Sequence, residues 1–472
     1  MLDDGQRRYR AEECEGLIAS MAALFQAAGC VPGDTVALLS RNRAEYPLWL
    51  MGAVAAGLWI VPLNWHLRRN ELHHIVADSG ASLVLVEPEL VGELPELPHR
   101  VLDEALAQQL QATPPRELHA DLPAGGIMLY TSGTTGLPRG VRRSQPARLG
   151  ALLESWQQRG RAVGLDGAGP HLVTGPLYHA APLLYALYDW VNGAPMLVMR
   201  QFDAAAALDW IERAGVCHSH WVPTMFVRAL QLPEARRKRF RAHSLRRVLH
   251  GAAPIAPEIK RRMIDWWGPV LVEYWGGSES GAVTRIDSPA WLQRPGSVGQ
   301  ALPGFEVHAV DESGRRLPPG RPGLLAVRRR DGHRLLADDK AGAALLLGDI
   351  GRVEEDGYVY LLGREGHTII SGGVNIYPAE VEAVLSSHPA VVDVLVQGEA
   401  DPEWGERVVA LVVAADGHGS GELLAAELLD FAARRLASYK LPRRIDWVSS
   451  LPRTDAGKLS RRHLKLQRGA GA

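Results

Sequence analysis

Residues 130–140 read Tyr130-Thr131-Ser132-Gly133-Thr134-Thr135-Gly136-Leu137-Pro138-Arg139-Gly140 and directly follow an apolar strand predicted over Gly126–Tyr130. Hydroxyls, glycines and one cation in a loop suit a polyphosphate. Gly133 and Gly136 let backbone N–H groups close on phosphate oxygens, Thr131, Ser132, Thr134 and Thr135 offer hydroxyl donors, and Arg139 adds a fixed charge. The spacing does not fit GxxxxGK[ST], which disfavours kinases and GTPases of that class. A second cluster, Glu273-Tyr274-Trp275-Gly276-Gly277-Ser278-Glu279, sets a carboxylate, Glu279, just past a glycine pair. A serine hydrolase would need GxSxG, but Gly277-Ser278-Glu279-Ser280-Gly281 carries Glu at its centre. Near the C-terminus, Leu451-Pro452-Arg453-Thr454-Asp455-Ala456-Gly457-Lys458 presents a compact ammonium in a loop.

With these motifs in view, the chain resembles the adenylate-forming superfamily: acyl-CoA synthetases, aryl-CoA ligases, luciferases and peptide-synthetase adenylation domains. The phosphate loop carries the resemblance first. Further motifs stand in the family's order: Pro176-Leu177-Tyr178-His179, Trp221-Val222-Pro223-Thr224-Met225, Gly251-Ala252-Ala253-Pro254, the Glu273–Glu279 cluster, Gly348-Asp349, Gly363-Arg364, Ser371-Gly372-Gly373-Val374-Asn375-Ile376-Tyr377-Pro378, and the Leu451–Lys458 run. Asn64-Trp65-His66-Leu67 and Tyr439-Lys440-Leu441-Pro442 are similar to the bacterial acyl-CoA synthetase branch.

The resemblance implies an acid that attacks the α-phosphorus of ATP, giving acyl-AMP and pyrophosphate, with the acyl group then passing to CoA. Carboxylate and polyphosphate repel each other, so the implied machinery is cationic. Glu279 would hold Mg2+, Lys458 would contact the carboxylate and α-phosphate, and Thr131 and Arg139 would act from the phosphate loop. Asp349 would accept the two ribose hydroxyls beside Arg364. Trp275 would stack on adenine, with Gly251, Ala252, Ala253 and Pro254 on its other face, and Glu273, Tyr274, Gly276 and Ser278 completing the nucleotide contacts. His179 would gate an acid pocket lined by Trp221, Met225, His250, Gly276 and Gly277. Gly372, Gly373 and Tyr439-Lys440 would serve CoA. Two further readings stay open: a specialised enzyme with another acceptor, such as a diazotase activating nitrite for an arylamine, and a non-catalytic nucleotide-binding relative, against which Lys458 and Glu279 speak.

Four positions depart from the family pattern. Arg139 replaces a lysine, Ser278 a threonine, and Leu347 the threonine before Gly348-Asp349. Gly366 follows Glu365 at a hinge position that is usually charged, and it is expected to swivel freely.

Positioning these residues calls for an α/β fold. Apolar runs at Val36–Leu39, Leu83–Val86, Met196–Met199 and Arg247–His250 alternate with helical patterns, which predicts mostly parallel sheets covered by helices. Beyond Val307, shorter β-like segments predict a small barrel-like subdomain at about 305–363. Residues 1–363 are expected to form the large domain, 364–366 the hinge, and 367–472 a mobile α+β cap with a helix at Pro378–Ser386, strands at Val391–Gln397 and Val408–Ala414, and a helix at Glu422–Ala437. Tyr46–Leu63 is uncharged over eighteen residues. Its prolines and glycines predict a buried helix ending near Gly57 and then a strand, rather than a membrane span.

Among the 472 residues, 52 Lys and Arg balance 53 Asp and Glu, so no global field would gather nucleic acid or hold a membrane. Cys14, Cys30 and Cys217 lack metal or disulfide spacing, and the polar N-terminus does not read as a secretory signal, so a cytoplasmic protein is expected; monomer and homodimer both stay open. Alternation along Val216–Val222 argues against a metal site at Cys217, His218 and His220. The pair His73-His74 is expected on a solvated helix face.

Overall fold

The computed structural model describes residues 1–94, 98–132, 138–332, 335, 344–371, 374–401, 404–415 and 421–453. Five parallel strands form the first sheet, in the order His99–Val101, Ala81–Val86, Thr35–Leu39, Trp59–Leu63, Gly126–Ile127. Thr35–Leu39 is buried along its whole length, as an unbroken apolar run in a covered parallel sheet should be. The uncharged stretch resolves as expected into the buried helix Glu45–Ala55 and the strand Trp59–Leu63, joined at Gly57 with φ +82°. A Cβ on Gly52 would lie 2.6 Å from Met21 Cβ, so this glycine lets two helices cross closely. Among the described residues no helix is long and apolar enough to cross a membrane.

The strand predicted at Gly126–Tyr130 divides. Gly126–Ile127 ends the first sheet, whereas Leu129–Ser132 turns out of it and pairs antiparallel with Pro138–Val141. Between those two arms lies the phosphate loop, whose residues 133–137 fall outside the described set.

The second sheet has a parallel centre: Met196–Val198, His171–Val173, His218–Trp221, Arg247–His250 and Leu271–Gly277 lie side by side. From Leu271–Gly277 the pairing becomes antiparallel, through Gly281–Asp287 and Ser297–Ala301 to Val359–Arg364, Leu345–Val353, Gly323–Arg329 and Phe305–Val310. The β-rich region is therefore an open meander continuing the large sheet rather than a small barrel. Ser297–Ala301 makes the junction by pairing on both edges, with a register shift between Ser297 and Gly299 that bends the path.

A smaller body follows. Its sheet runs Val374–Ile376, Ile369–Ser371, Gly405–Ala414, Val391–Asp401, with Arg444–Trp447 added parallel to Gly405–Ala414. Helix Pro378–Leu385 matches expectation. The last helix ends at Ala433, short of the expected Ala437, because the chain tightens there into turn bonds such as Arg435 N–H to the Ala432 carbonyl and then a short 3-10 turn at Ser438–Lys440.

Polar groups are buried through the parallel centre. Asp189 Oδ2 lies 2.9 Å from His171 Nδ1 and 2.8 Å from His218 Nδ1, and all three side chains are buried. His220, on the same strand face as His218, shares a 3.0 Å hydrogen bond with Tyr274 Oη. The ring nitrogens of His218 and His220 nearest these partners are thus committed to Asp189 and Tyr274. Burial holds His220 neutral, its pKa pushed down from 6.5 to about 3, and burial followed by the nearby Lys260 charge holds His250 well below the ordinary value. The folded pKa lies below the unfolded one at both residues. Their contribution is thus complete above pH 6.5 and is lost as pH falls below it, for His220 down to about 3. Urea unfolding measured from pH 7.5 to pH 5 should show stability falling by up to about 1.4 kcal/mol per pH unit for each histidine. His220→Gln should flatten that dependence, and an unchanged slope in the variant would refute the assignment.

Candidate active site

Strand Arg247–His250 pairs with Leu271–Gly277 so that His250 sits opposite Glu273, which brings the Gly251–Pro254 turn against Tyr274. A Cβ on Gly251 would come within 2.7 Å of the Tyr274 carbonyl oxygen, so only glycine fits. Ala252 follows with φ 64°, the single non-glycine in left-handed backbone among the described residues. Strain of this kind costs about 1 kcal/mol or more and persists where the surroundings over-determine it.

Beside that turn, one carboxylate ties two strands together. Trp275 Nε1 donates to Asp349 Oδ2 at 2.8 Å, and Arg364 Nε donates to Asp349 Oδ1 at 2.7 Å. Asp349 and Arg364 are cross-strand partners, and Arg364 also donates to the Leu347 carbonyl at 3.3 Å. Each Asp349 oxygen keeps a second lone pair, so the pairings leave capacity for hydroxyl donors. Trp275 is only 5% exposed and packs with Val283 and Val298, so most of its ring belongs to the core.

Glu279 stands on the hairpin between Leu271–Gly277 and Gly281–Asp287. A Cβ on Gly276 would lie 1.9 Å from the Gly281 carbonyl oxygen, and one on Gly277 would lie 2.7 Å from Glu279 Oε2 and 3.0 Å from Leu347 Cδ2. Gly276 is therefore dictated by space, and Glu279 curls back over Gly277. The hairpin is pinned twice: Gly277 N–H donates to Ser280 Oγ at 3.0 Å, and Arg143 Nε donates to the Ser278 carbonyl at 2.7 Å. A lone hard carboxylate suits Mg2+, which keeps waters and phosphate oxygens and takes few protein ligands.

Some residues expected at the site lie beneath it. Glu273 is not turned to nucleotide: its carboxylate lies 2.6 Å from the wholly buried Lys260 Nζ, which also sits 4.7 Å from the Trp291 ring centre. Tyr274 packs on Tyr185 and binds His220. Trp221 is fully buried on the opposite face from His220, stacked on Phe226 and edge-on to Trp267, with Nε1 donating to Ser219 Oγ at 3.0 Å. Strand alternation decides this, because residue 221 must face away from 220. Met225 is buried beside Thr174. His250 is buried against Phe226, and its ring nitrogens make no hydrogen bond among the described residues. His179 caps the start of helix Ala180–Trp190, its ring 4.4 Å from Tyr178.

Sequence reasoning missed the supports of the phosphate-loop hairpin. Tyr130 Oη donates to Asp78 at 2.6 Å, and His74 Nε2 lies 3.1 Å from the Pro138 carbonyl oxygen. Helix Arg69–Ser79 therefore holds both arms, and His74 is not on the solvated face, although His73 is exposed. The 3.6-residue period placing His74 and Asp78 on one face was a usable signal. Arg143 was missed as well.

Arg139 is exposed on the second arm. Thr131 and Ser132 are described in their backbone alone, opposite Arg139 and Pro138. Gly133, Thr134, Thr135, Gly136, Gly372, Gly373 and Lys458 lie outside the described residues. Past Arg364 the chain makes a tight turn, with His367 N–H donating to the Arg364 carbonyl and Gly366 at φ +77°. Gly366 thus sits in a turn that uses its left-handed conformation. Glu365 N–H is held by the Gly348 carbonyl at 2.8 Å. Tyr439 is exposed, and Lys440 Nζ is paired with Glu380 at 2.6 Å.

Comparison with known proteins bears on the whole chain. The model of the AMP-binding enzyme family matches residues 2–332, and that of the AMP-binding enzyme C-terminal domain matches 380–458. A fatty acid–[acyl-carrier-protein] ligase, ScoC, of Streptomyces coeruleorubidus is 34% identical, over 94% of this chain and 89% of that protein. A feruloyl-CoA synthase of an Amycolatopsis species is 34% identical over 96% and 92%. Among solved structures, the o-succinylbenzoate CoA synthetase MenE of Bacillus subtilis, in complex with its acyl-adenylate intermediate, superposes with a TM-score of 0.80 at 27% identity, covering 98% of this chain and 94% of that one. With a family model across more than half its length and relatives above 30% identity over nearly all of it, the chain belongs to the AMP-binding, adenylate-forming enzyme family.

Proposed function

We propose that this ATP-dependent ligase joins a small-molecule acid to AMP with release of pyrophosphate, and then transfers the acyl group to CoA. The observation that carries the reading is the Asp349 carboxylate, held by Trp275 and Arg364 beside the strained Gly251–Pro254 turn and one hairpin away from Glu279. A ribose docks on Asp349, whose free lone pairs accept its hydroxyls while Arg364 fixes the carboxylate plane. Adenine enters between the Gly251–Pro254 turn and the accessible edge of Trp275. Glu279 holds the cation, which when bound offsets phosphate charge as the acid oxygen approaches. Arg143 keeps the carbonyl side of that turn from shifting. Arg139 and Lys458 add the cations that stabilise charge building on the phosphates. The named acceptors of the relatives, CoA in the feruloyl enzyme and an acyl-carrier protein in ScoC, both present a thiol, which supports a thioester as the second product.

The small body turns about Glu365 and Gly366 between the two half-reactions, and the tight turn at Gly366 supplies the defined state it departs from. Cys14, Cys30 and Cys217 are free thiols, which supports a reducing, cytoplasmic setting.

Pyrophosphate release with magnesium-ATP, across aliphatic acids, aromatic acids and nitrite, each with and without CoA or an arylamine, tests the reading. Release with a carboxylic acid and thioester formation with CoA is the expected result, whereas release restricted to nitrite with an arylamine would overturn it. Glu279→Gln should lower magnesium-dependent pyrophosphate release by about 100-fold or more, on the scale of losing one charge-stabilising group, with an unchanged circular dichroism spectrum. Gly366→Ala forces a Cβ into left-handed backbone at a cost of about 1 kcal/mol. It should slow thioester formation several-fold more than pyrophosphate release, and equal slowing of both steps would count against a hinge at this turn.

A further inference from the structure

Between helices Leu149–Ala162 and Ala180–Trp190 and the segment just after the phosphate-loop hairpin lies a small cavity of about 30 Å³. One water needs at least about 10–15 Å³ measured in this way, so the space matches a group of two or three heavy atoms, the size of a carboxylate. Arg143 and Arg159 both line it, with Gln145, Trp156, Leu184 and Tyr188. Arg159 has no ion pair or hydrogen bond among the described residues. Arg143 commits its Nε to the Ser278 carbonyl and has no carboxylate hydrogen-bonded to it. Burial lowers the Arg143 pKa, and the Arg159 charge lowers it further, so these two cations feel each other across the space. Glu279 is the carboxylate whose charge acts on Arg143, and the adenylation chemistry assigns that carboxylate to the metal. Two guanidiniums face one partly apolar cavity, and among the described residues no carboxylate is hydrogen-bonded to either; planar forks of this kind match a carboxylate.

The cavity is tied to the reacting centre on two sides. Arg143 touches the turn that bears Glu279. Tyr188 lies on the helix that His179 caps, and Tyr185 of that helix stacks on His220 with ring centres 5.5 Å apart. From residue 179 to residue 188 the helix rises about 13 Å, and Leu184 and Tyr188 of that helix line the cavity.

Building on the adenylation reading, we propose that the acid activated here carries a second anionic group, and that Arg143 and Arg159 hold that group in this cavity. The substrate class is thus a dicarboxylate-like acid with an apolar or aromatic body, rather than a simple fatty acid.

Calorimetry in the absence of ATP tests the cavity directly, using succinate, adipate, suberate and terephthalate against butyrate, hexanoate, octanoate and benzoate. At least one diacid should bind tenfold or more tighter than its matched monoacid to the full-length protein. That advantage should vanish in Arg159→Met and return in part in Arg159→Lys. If no diacid outperforms its monoacid, or if the advantage persists in Arg159→Met, the proposal is overturned. Pyrophosphate release with the same acids separates the two readings. Monoacid-driven release without diacid preference sinks the cavity assignment and leaves adenylation standing. Diacid binding that depends on Arg159, with no release from any acid, does the reverse.

Discussion

Much of the site hangs on one buried carboxylate. Asp349 comes from the antiparallel arm and Trp275 from the last parallel strand, so their hydrogen bond joins the two halves of the large sheet. Arg364 closes the arrangement from the neighbouring strand, at the residue where the chain leaves for the smaller body. An indole N–H and a guanidinium on separate oxygens fix both the position and the plane of the carboxylate. A single neutral partner would leave it free to rotate. Gly348, at φ +73°, delivers Asp349 into that position, and the Gly348 carbonyl takes the Glu365 N–H at the start of the turn. The groups assigned to ribose, adenine and domain movement therefore share one hydrogen-bonded unit.

Below this unit the sheet is stiffened by buried polar pairs. Lys260 and Glu273 form an ion pair in the core directly under the Gly251 turn, and His220, Tyr274 and Tyr185 form an aromatic cluster on the opposite face. A buried ion pair adds little net stability compared with an apolar pair, but removing one partner leaves an uncompensated charge. Such pairs are intolerant of displacement. That property suits a base on which Ala252 is kept in left-handed backbone, because the strain would otherwise relax.

The fold was largely legible in the sequence because its signals are local. The apolar runs at Val36–Leu39 and Arg247–His250 became strands within one residue of expectation, and Tyr46–Leu63 divided at Gly57 as its glycine dictates. The errors concern direction and partnership, which a linear pattern encodes weakly. Gly126–Tyr130 reads as one strand but changes sheets at Met128, since its second half finds a partner in Pro138–Val141. Glu273, Tyr274 and Trp221 stand in motifs that resemble a nucleotide and acid site, yet their side chains serve the core, with Lys260, His220 and Ser219 as partners distant in sequence or on a face that motif matching ignores. Asp349 and Arg364 were legible as site residues, whereas their mutual pairing required the register of two strands.

Arg143 shows how the parts combine. It follows the phosphate-loop hairpin by two residues, so its backbone position depends on the arms that Tyr130 and His74 secure to helix Arg69–Ser79. Its guanidinium reaches across to the Ser278 carbonyl, so the segment that follows the 130–140 loop and the turn that bears Glu279 are mechanically joined. Among the described residues no carboxylate is hydrogen-bonded to that guanidinium, so the anion proposed for the cavity would lower the cost of burying its charge. Under the proposed roles, phosphate loop, metal turn and acid cavity meet at one side chain, and occupancy of the cavity would bear on the geometry of Glu279 through a single hydrogen bond to its turn.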